Sequence, residues 1–160
     1  MPKRRTFYSF HFGADVMRVQ QIRNIGSLED NEPVSVNDWE TVKRGGDAEI
    51  KKWINKNMDG RSCVVVLIGE HTASRPWVKY EIKKAWEDGR GLLGIHIHNL
   101  KCPNEGKGKK GSSPFEGIQF KDSDGKMKTI PCKNPKADNA YNDIKENLEA
   151  WIEEAIALRA

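Results

Sequence analysis

Cysteine is scarce: Cys63, Cys102 and Cys132 are the only three in 160 residues, odd in number and without a Cys-x-x-Cys pair. Neither a disulfide framework nor a zinc site is indicated, and a reducing cytoplasm is the compartment that fits. Long apolar runs are missing too. Nothing approaches the roughly 18 residues of a membrane span, and the mean hydropathy of -0.73 describes a heavily solvated chain. The start, Met-Pro-Lys-Arg-Arg, is basic, yet Thr-Phe-Tyr-Ser-Phe-His-Phe follows it with neither the apolar core nor the cleavage site of an export signal. Charge excess is small: 27 Lys and Arg against 23 Asp and Glu give +4, well short of a nucleic-acid footprint. No Gly-x-Gly-x-x-Gly follows the first predicted strand, which excludes the dinucleotide grip of a hydride-transferring Rossmann enzyme.

What is present reads as one domain over 1–160. It has a basic tail at 1–4, a loop and hairpin insertion at 99–138 and a C-terminal helix at 139–160. Arg5 to Phe12 is aromatic and β-favouring, a first strand, and Val16 to Ile25 is a helix closed by Gly26. A short strand is expected at Val34 to Val36 and a helix from Asp47 to Asn57, with Ile50, Trp53 and Ile54 on one face. Cys63-Val64-Val65-Val66-Leu67-Ile68-Gly69 is apolar without alternation, the mark of a central parallel strand covered on both faces. Trp77 to Asp88 is a helix with a core stripe of Val78, Ile82, Ala85 and Trp86. Leu92 to His98 is a further strand, and a Lys- and Gly-rich segment, Asn99 to Pro114, reads as a mobile, solvated loop. A hairpin turning at Asp122 to Gly125 and a helix from Ala140 to Ala157 complete the chain.

Strands alternating with helices argue for an α/β, flavodoxin-like three-layer sandwich with a mostly parallel central sheet. In such sheets ligands collect outside the carboxyl ends of the strands. That edge is bounded by Ser9 to Asp15, Ser35 to Trp39 and Gly69 to Glu81. Trp77 and Glu81 lie four apart at the border of the core stripe, leaning toward the edge. A bland alternative has Trp77 packing over the sheet end and Glu81 in a solvated pair.

Several stretches, in order, carry a family likeness. Ser74-Arg75-Pro76-Trp77-Val78-Lys79-Tyr80-Glu81 after Val64 to Gly69 resembles the strand, loop and Trp-x-x-x-Glu helix of TIR domains. Tyr8 to Phe12, Glu32 to Trp39, Gly60-Arg61-Ser62-Cys63 and Gly91 to Asn99 resemble, more narrowly, the TIR-like proteins of Thoeris anti-phage systems. The likeness covers about residues 5 to 100. It implies an enzyme that consumes NAD as substrate, with no bound cofactor, when infection supplies a trigger. The nicotinamide glycosidic bond is cleaved and a cyclic ADP-ribose-type messenger activates a downstream effector protein. By the same resemblance Glu81 is catalytic, and Ser9, Phe10, His11, Asn37, Asp38, Trp39 and Trp77 line the pocket. Assembly into a homo-oligomer is compatible with it.

The residue types suit that chemistry. Nicotinamide in NAD is already a cationic leaving group, so one carboxylate beside the ribose can suffice. Phe10, Trp39 and Trp77 could stack on rings and exclude water, favouring cyclisation over hydrolysis. The rival is a TIR-type scaffold that signals by assembly without catalysis. A phospho-receiver is excluded, since His11-Phe12 and Gly69-Glu70 stand where its acids belong. His96 and His98 on one strand face could hold a metal with a third ligand, but no metal site is expected, and they read as pocket-rim residues.

Overall fold

The computed structural model describes residues 6–11, 18–19, 21–22, 42–101, 108–122 and 124–159. The expected strand at Val34 to Val36 and the site residues Asn37, Asp38 and Trp39 lie outside the described residues.

Among the described residues four strands form one parallel sheet in the order β1-β2-β3-β4. β1 is Thr6–Ser9, shorter than expected, β2 is Cys63–Ile68 and β3 is Gly91–His96. β4, Cys132–Lys133, was not foreseen. It pairs with β3 through Gly94↔Cys132 and Ile95↔Lys133. β2 is buried at all six positions, as an unalternating apolar run dictates. Burial pushes the Cys63 thiol up to about 12, so it is an inert core group.

Among the described residues three helices can be followed from end to end: α1 Asp47–Met58, α2 Pro76–Glu87 and α3 Ala140–Arg159. Pro76 opens α2, where its missing N–H costs nothing. Gly89, at φ 77°, closes it: Gly89 N donates to Trp86 O at 3.1 Å and Arg90 N to Ala85 O at 2.9 Å. This paired return is the Schellman ending that only a left-handed residue permits.

The period-2 alternation of the strands sorts the core into two layers. Phe7, Val64, Val66, Ile68 and Leu92 pack with Ile54 of α1 and Val78, Ile82 and Ala85 of α2. On the other face, Val65, Leu67, Leu93 and Ile95 pack with Ile144, Leu148 and Ile152 of α3 and with Val19 and Ile22. The helical face expected around Val19 and Ile22 is thus buried as read. The hairpin forms at a single antiparallel bridge, Lys121↔Met127, with Asp122 Oδ1 accepting from the backbone N–H groups of Asp124 and Lys126.

The segment expected to be a mobile loop has neither helix nor strand in its described part, 108–114. Its lysines do face water, but its backbone is docked. Gly108 N donates to His98 O at 2.7 Å. Gly111 lies so close to the end of β2 that an added Cβ would fall on the carbonyl oxygen of Gly69. Immediately beyond, Phe115 is buried over Gly94, whose own Cβ, if present, would stand 2.7 Å from the ring. Glycine and one aromatic anchor replace the apolar side chains that a docked segment usually shows.

Candidate active site

β1 and α2 converge at the carboxyl edge of the sheet. Alternation along β1 sends Phe7 into the α1–α2 layer and Tyr8 to the α3 layer, so Ser9 follows Phe7 and faces α2. There Ser9 Oγ donates to Glu81 Oε1 at 2.7 Å, joining residues 72 apart in sequence. Ser9 is 1 % exposed and Glu81 8 %. The expected border position of Glu81, and the solvated pair of the bland alternative, are both corrected. Helical spacing places Glu81 beside the stripe of Val78, Ile82 and Ala85, but β1 covers that flank and takes it out of water.

Burial sets the acid's chemistry. Desolvation disfavours the carboxylate and lifts Glu81 to about 8, while the Ser9 hydrogen bond pulls the other way and loses. A buried acid with one hydroxyl partner and no cation among the described residues is held neutral near pH 7, which marks a functional-site candidate rather than a stabilising pair.

The other expected site residues are placed as follows. Trp77 sits one turn before Glu81 on α2, half-buried against the α1–α2 layer, its ring edge-on to Tyr80 with centroids 5.6 Å apart. His11 continues past β1, and its Nδ1 is buried with no hydrogen-bond partner among the described residues. Burial, then the charge of Arg75, then His71, hold its pKa below the usual imidazole value. Phe10 goes elsewhere: it is 7 % exposed and packs in the α3 layer, the face opposite Glu81. The structure therefore joins Ser9 to Glu81 and sets Trp77 on the same helix, while Phe10 belongs to the core of the other face.

Sequence reading missed two supports. Thr72, fully buried, accepts from Gly69 N at 2.8 Å and braces the turn from β2 toward α2. Cys132, delivered by the unforeseen β4, lies with its Sγ 3.6 Å from His96 Nε2. Cys132 is thus a neighbour of His96 in space from 36 residues further along the chain. Among the described residues no group of three His, Cys, Asp or Glu is placed to hold a metal ion. Nor is any described helix long and apolar enough to cross a membrane.

Comparison with known proteins agrees with this geometry. Residues 7–102 match the family described as Thoeris protein ThsB, TIR-like domain. A Bacillus cereus (strain MSX-D12) protein, whose name proposes it as a cyclic ADP-D-ribose synthase, ThsB1, is 37% identical over 132 residues. That alignment covers 78% of this chain and 68% of the relative. This match to more than half of the sequence, on a parallel α/β sheet, establishes that the chain belongs to the Thoeris ThsB TIR-like family.

Proposed function

We propose that this chain is an NAD-consuming enzyme of bacterial anti-phage defence that cleaves the nicotinamide glycosidic bond and closes the remainder into a cyclic ADP-ribose-type messenger for a downstream effector. The observation that carries the reading is the buried Ser9–Glu81 pair at the carboxyl edge, where α/β sheets bind ligands. The name of the Bacillus cereus relative supports the product class.

In this mechanism NAD is substrate and no bound cofactor takes part. Nicotinamide arrives as a cation and leaves neutral, taking the electron pair of the bond from ribose C1 to nitrogen. The positive charge passes to the ribose as an oxocarbenium-like centre, which a group of the same molecule then captures. Glu81 stabilises that charge, with Ser9 Oγ fixing the rotamer of its carboxyl group. The neutral resting state of Glu81 is no obstacle, because a cation brought beside a buried carboxyl favours its ionised form. Trp77, one turn earlier on the same helix, offers a ring to stack on the substrate and exclude water. Trp39, Asn37 and Asp38 keep the pocket-lining role that the family resemblance implies.

The test is product analysis. Purified protein is incubated with NAD, with and without lysate of infected cells, and products are identified by mass spectrometry. Glu81→Gln is nearly isosteric and should lower product formation on the order of 10² to 10³-fold, as loss of an electrostatic stabiliser does, with folding retained. Full product formation by that variant would remove Glu81 from the chemistry. Protection from phage by the variant without any product would favour a scaffold acting by assembly.

A further inference from the structure

The proposed active centre occupies one end of a longer edge. Ser9, Ile68 and His96 lie on the same face of the sheet, because Ser9 pairs with Val66 and Ile68 with His96 in register. Cys132 pairs with Gly94 and joins that face at β4. At strand spacings of about 4.8 Å, β3 stands about 10 Å from β1, and β4 about 14 Å. A dinucleotide reaching from a ribose to its second nucleotide spans a distance of this order.

What waits there is polar and incompletely satisfied. His96 is 6 % exposed, and its Nδ1 is buried with no hydrogen-bond partner among the described residues. Its Nε2 faces Cys132 Sγ at 3.6 Å. Cys132 is exposed on β4, partial desolvation of its sulfur raises the thiol pKa above the usual value, and the Ser113 side chain hydrogen-bonds to that sulfur. The tautomer in which Nε2 accepts from the thiol carries its ring hydrogen on Nδ1. In that tautomer the series runs from the Ser113 hydroxyl through the Cys132 S–H to the His96 N–H, and ends on a donor with nothing to receive it among the described residues.

The segment that carries Lys110 is docked at the same edge of the sheet. Gly108, bonded to His98 O, and Gly111, pressed on Gly69, pin the segment at both sides of Lys109 and Lys110. The charge of Lys110 is felt at both His96 and Cys132. Lys110 is exposed, and no ion pair neutralises it among the described residues. A donor without an acceptor beside a cation without a counter-ion calls for an anionic oxygen.

We propose that Lys110 and His96 form a phosphate-binding subsite, on the same sheet face as Ser9 and Glu81, that receives the pyrophosphate of a dinucleotide substrate. The identity of the substrate rests on the NAD reading above. The site itself rests on the packing of 108–113 against β2 and β3.

ADP-ribose separates the two, since it carries the pyrophosphate and lacks the nicotinamide. Its affinity is measured by calorimetry for the wild type, Lys110→Ala, Lys110→Arg and Lys109→Ala, and the His96 imidazole is followed by NMR. Lys110→Ala should bind about tenfold more weakly, the loss expected for one charged contact. Lys110→Arg should recover most of the affinity, Lys109→Ala should stay within about twofold of the wild type because its loss removes only diffuse charge, and the His96 signal should move on titration. Equal losses at Lys109 and Lys110, an unmoved His96 signal, or no binding by the wild type would overturn the subsite. A wild type that releases nicotinamide from NAD but is indifferent to Lys110 sinks the subsite alone. One that binds ADP-ribose through Lys110 and releases no nicotinamide sinks the reaction alone.

Discussion

Glu81 holds its proton because folding takes it out of water and gives it a hydroxyl instead of a cation. The same fact has a cost in stability whose sign can be worked out. Unfolded, the group ionises near 4.5; folded, at about 8. Between these values the native state binds the extra proton, so stability is full below about pH 4.5 and is lost progressively as pH rises to about 8. Glu81→Gln cannot ionise and escapes that loss. Thermal melting at pH 9 should therefore find the variant more stable than the wild type, by several degrees, with little difference at pH 4. Activity should run the opposite way. If the carboxylate is the working form, kcat/KM of the wild type rises through about pH 8, since that ratio reports the free enzyme. A profile flat between pH 6 and 9 would detach the proton on Glu81 from turnover. None of this was legible in the sequence: spacing put Glu81 at the edge of a stripe, and its burial depends on Ser9, 72 residues away, arriving by way of the sheet.

Elements differed in how far the chain announced them. β2, α1, α2 and α3 were readable because each repeats its signal over many residues: six consecutive buried positions in β2, and the stripe Ile144, Leu148, Ile152 and Ala155 in α3. β4 was not, since two residues contain no period, and its pairing is decided by Gly94 and Ile95. The docking of the segment 108–114 was not legible for a related reason. Composition reports solvation of side chains, whereas this segment is held by its backbone, through glycines that approach where a side chain could not. Gly111→Ala is the discriminating substitution. Its methyl group would meet the Gly69 carbonyl oxygen, a backbone atom with no rotamer to yield. The segment should lift away at about 1–3 kcal/mol, the range for overpacking. Limited trypsin digestion reads it directly: cutting at Lys109 and Lys110 should be slow in the wild type and fast in the variant. Equal rates in both would restore the mobile loop.

At the scale of the molecule the two helical layers are clipped together at the amino edge of the sheet, opposite the site. Arg159, at the end of α3, donates from Nη2 to Trp86 O at 2.8 Å and lays its guanidinium 3.8 Å from the centroid of the Trp86 ring on α2. Arg159→Ala should lower stability by about 1–2 kcal/mol, combining a charged hydrogen bond with a cation–π contact. Arg159→Lys should recover only part, because an ammonium does not stack as a planar fork does. Chemical denaturation gives both values, and an unchanged midpoint for Arg159→Ala would show that the layers are held without the clip.

The buried acid also alters the protein's account of protons. The formal charge of +4 counts every carboxyl group as ionised. With an acid at about 8, roughly nine molecules in ten carry one more positive charge at pH 7. A substrate cation that draws Glu81 into its ionised form must expel that proton into the buffer. The heat of NAD binding should therefore depend on the ionisation enthalpy of the buffer, with a slope near one proton released per site at pH 7. Glu81→Gln should bind with a heat that is the same in every buffer. By this measure the site could be followed at rest, before any trigger has acted and without a single turnover.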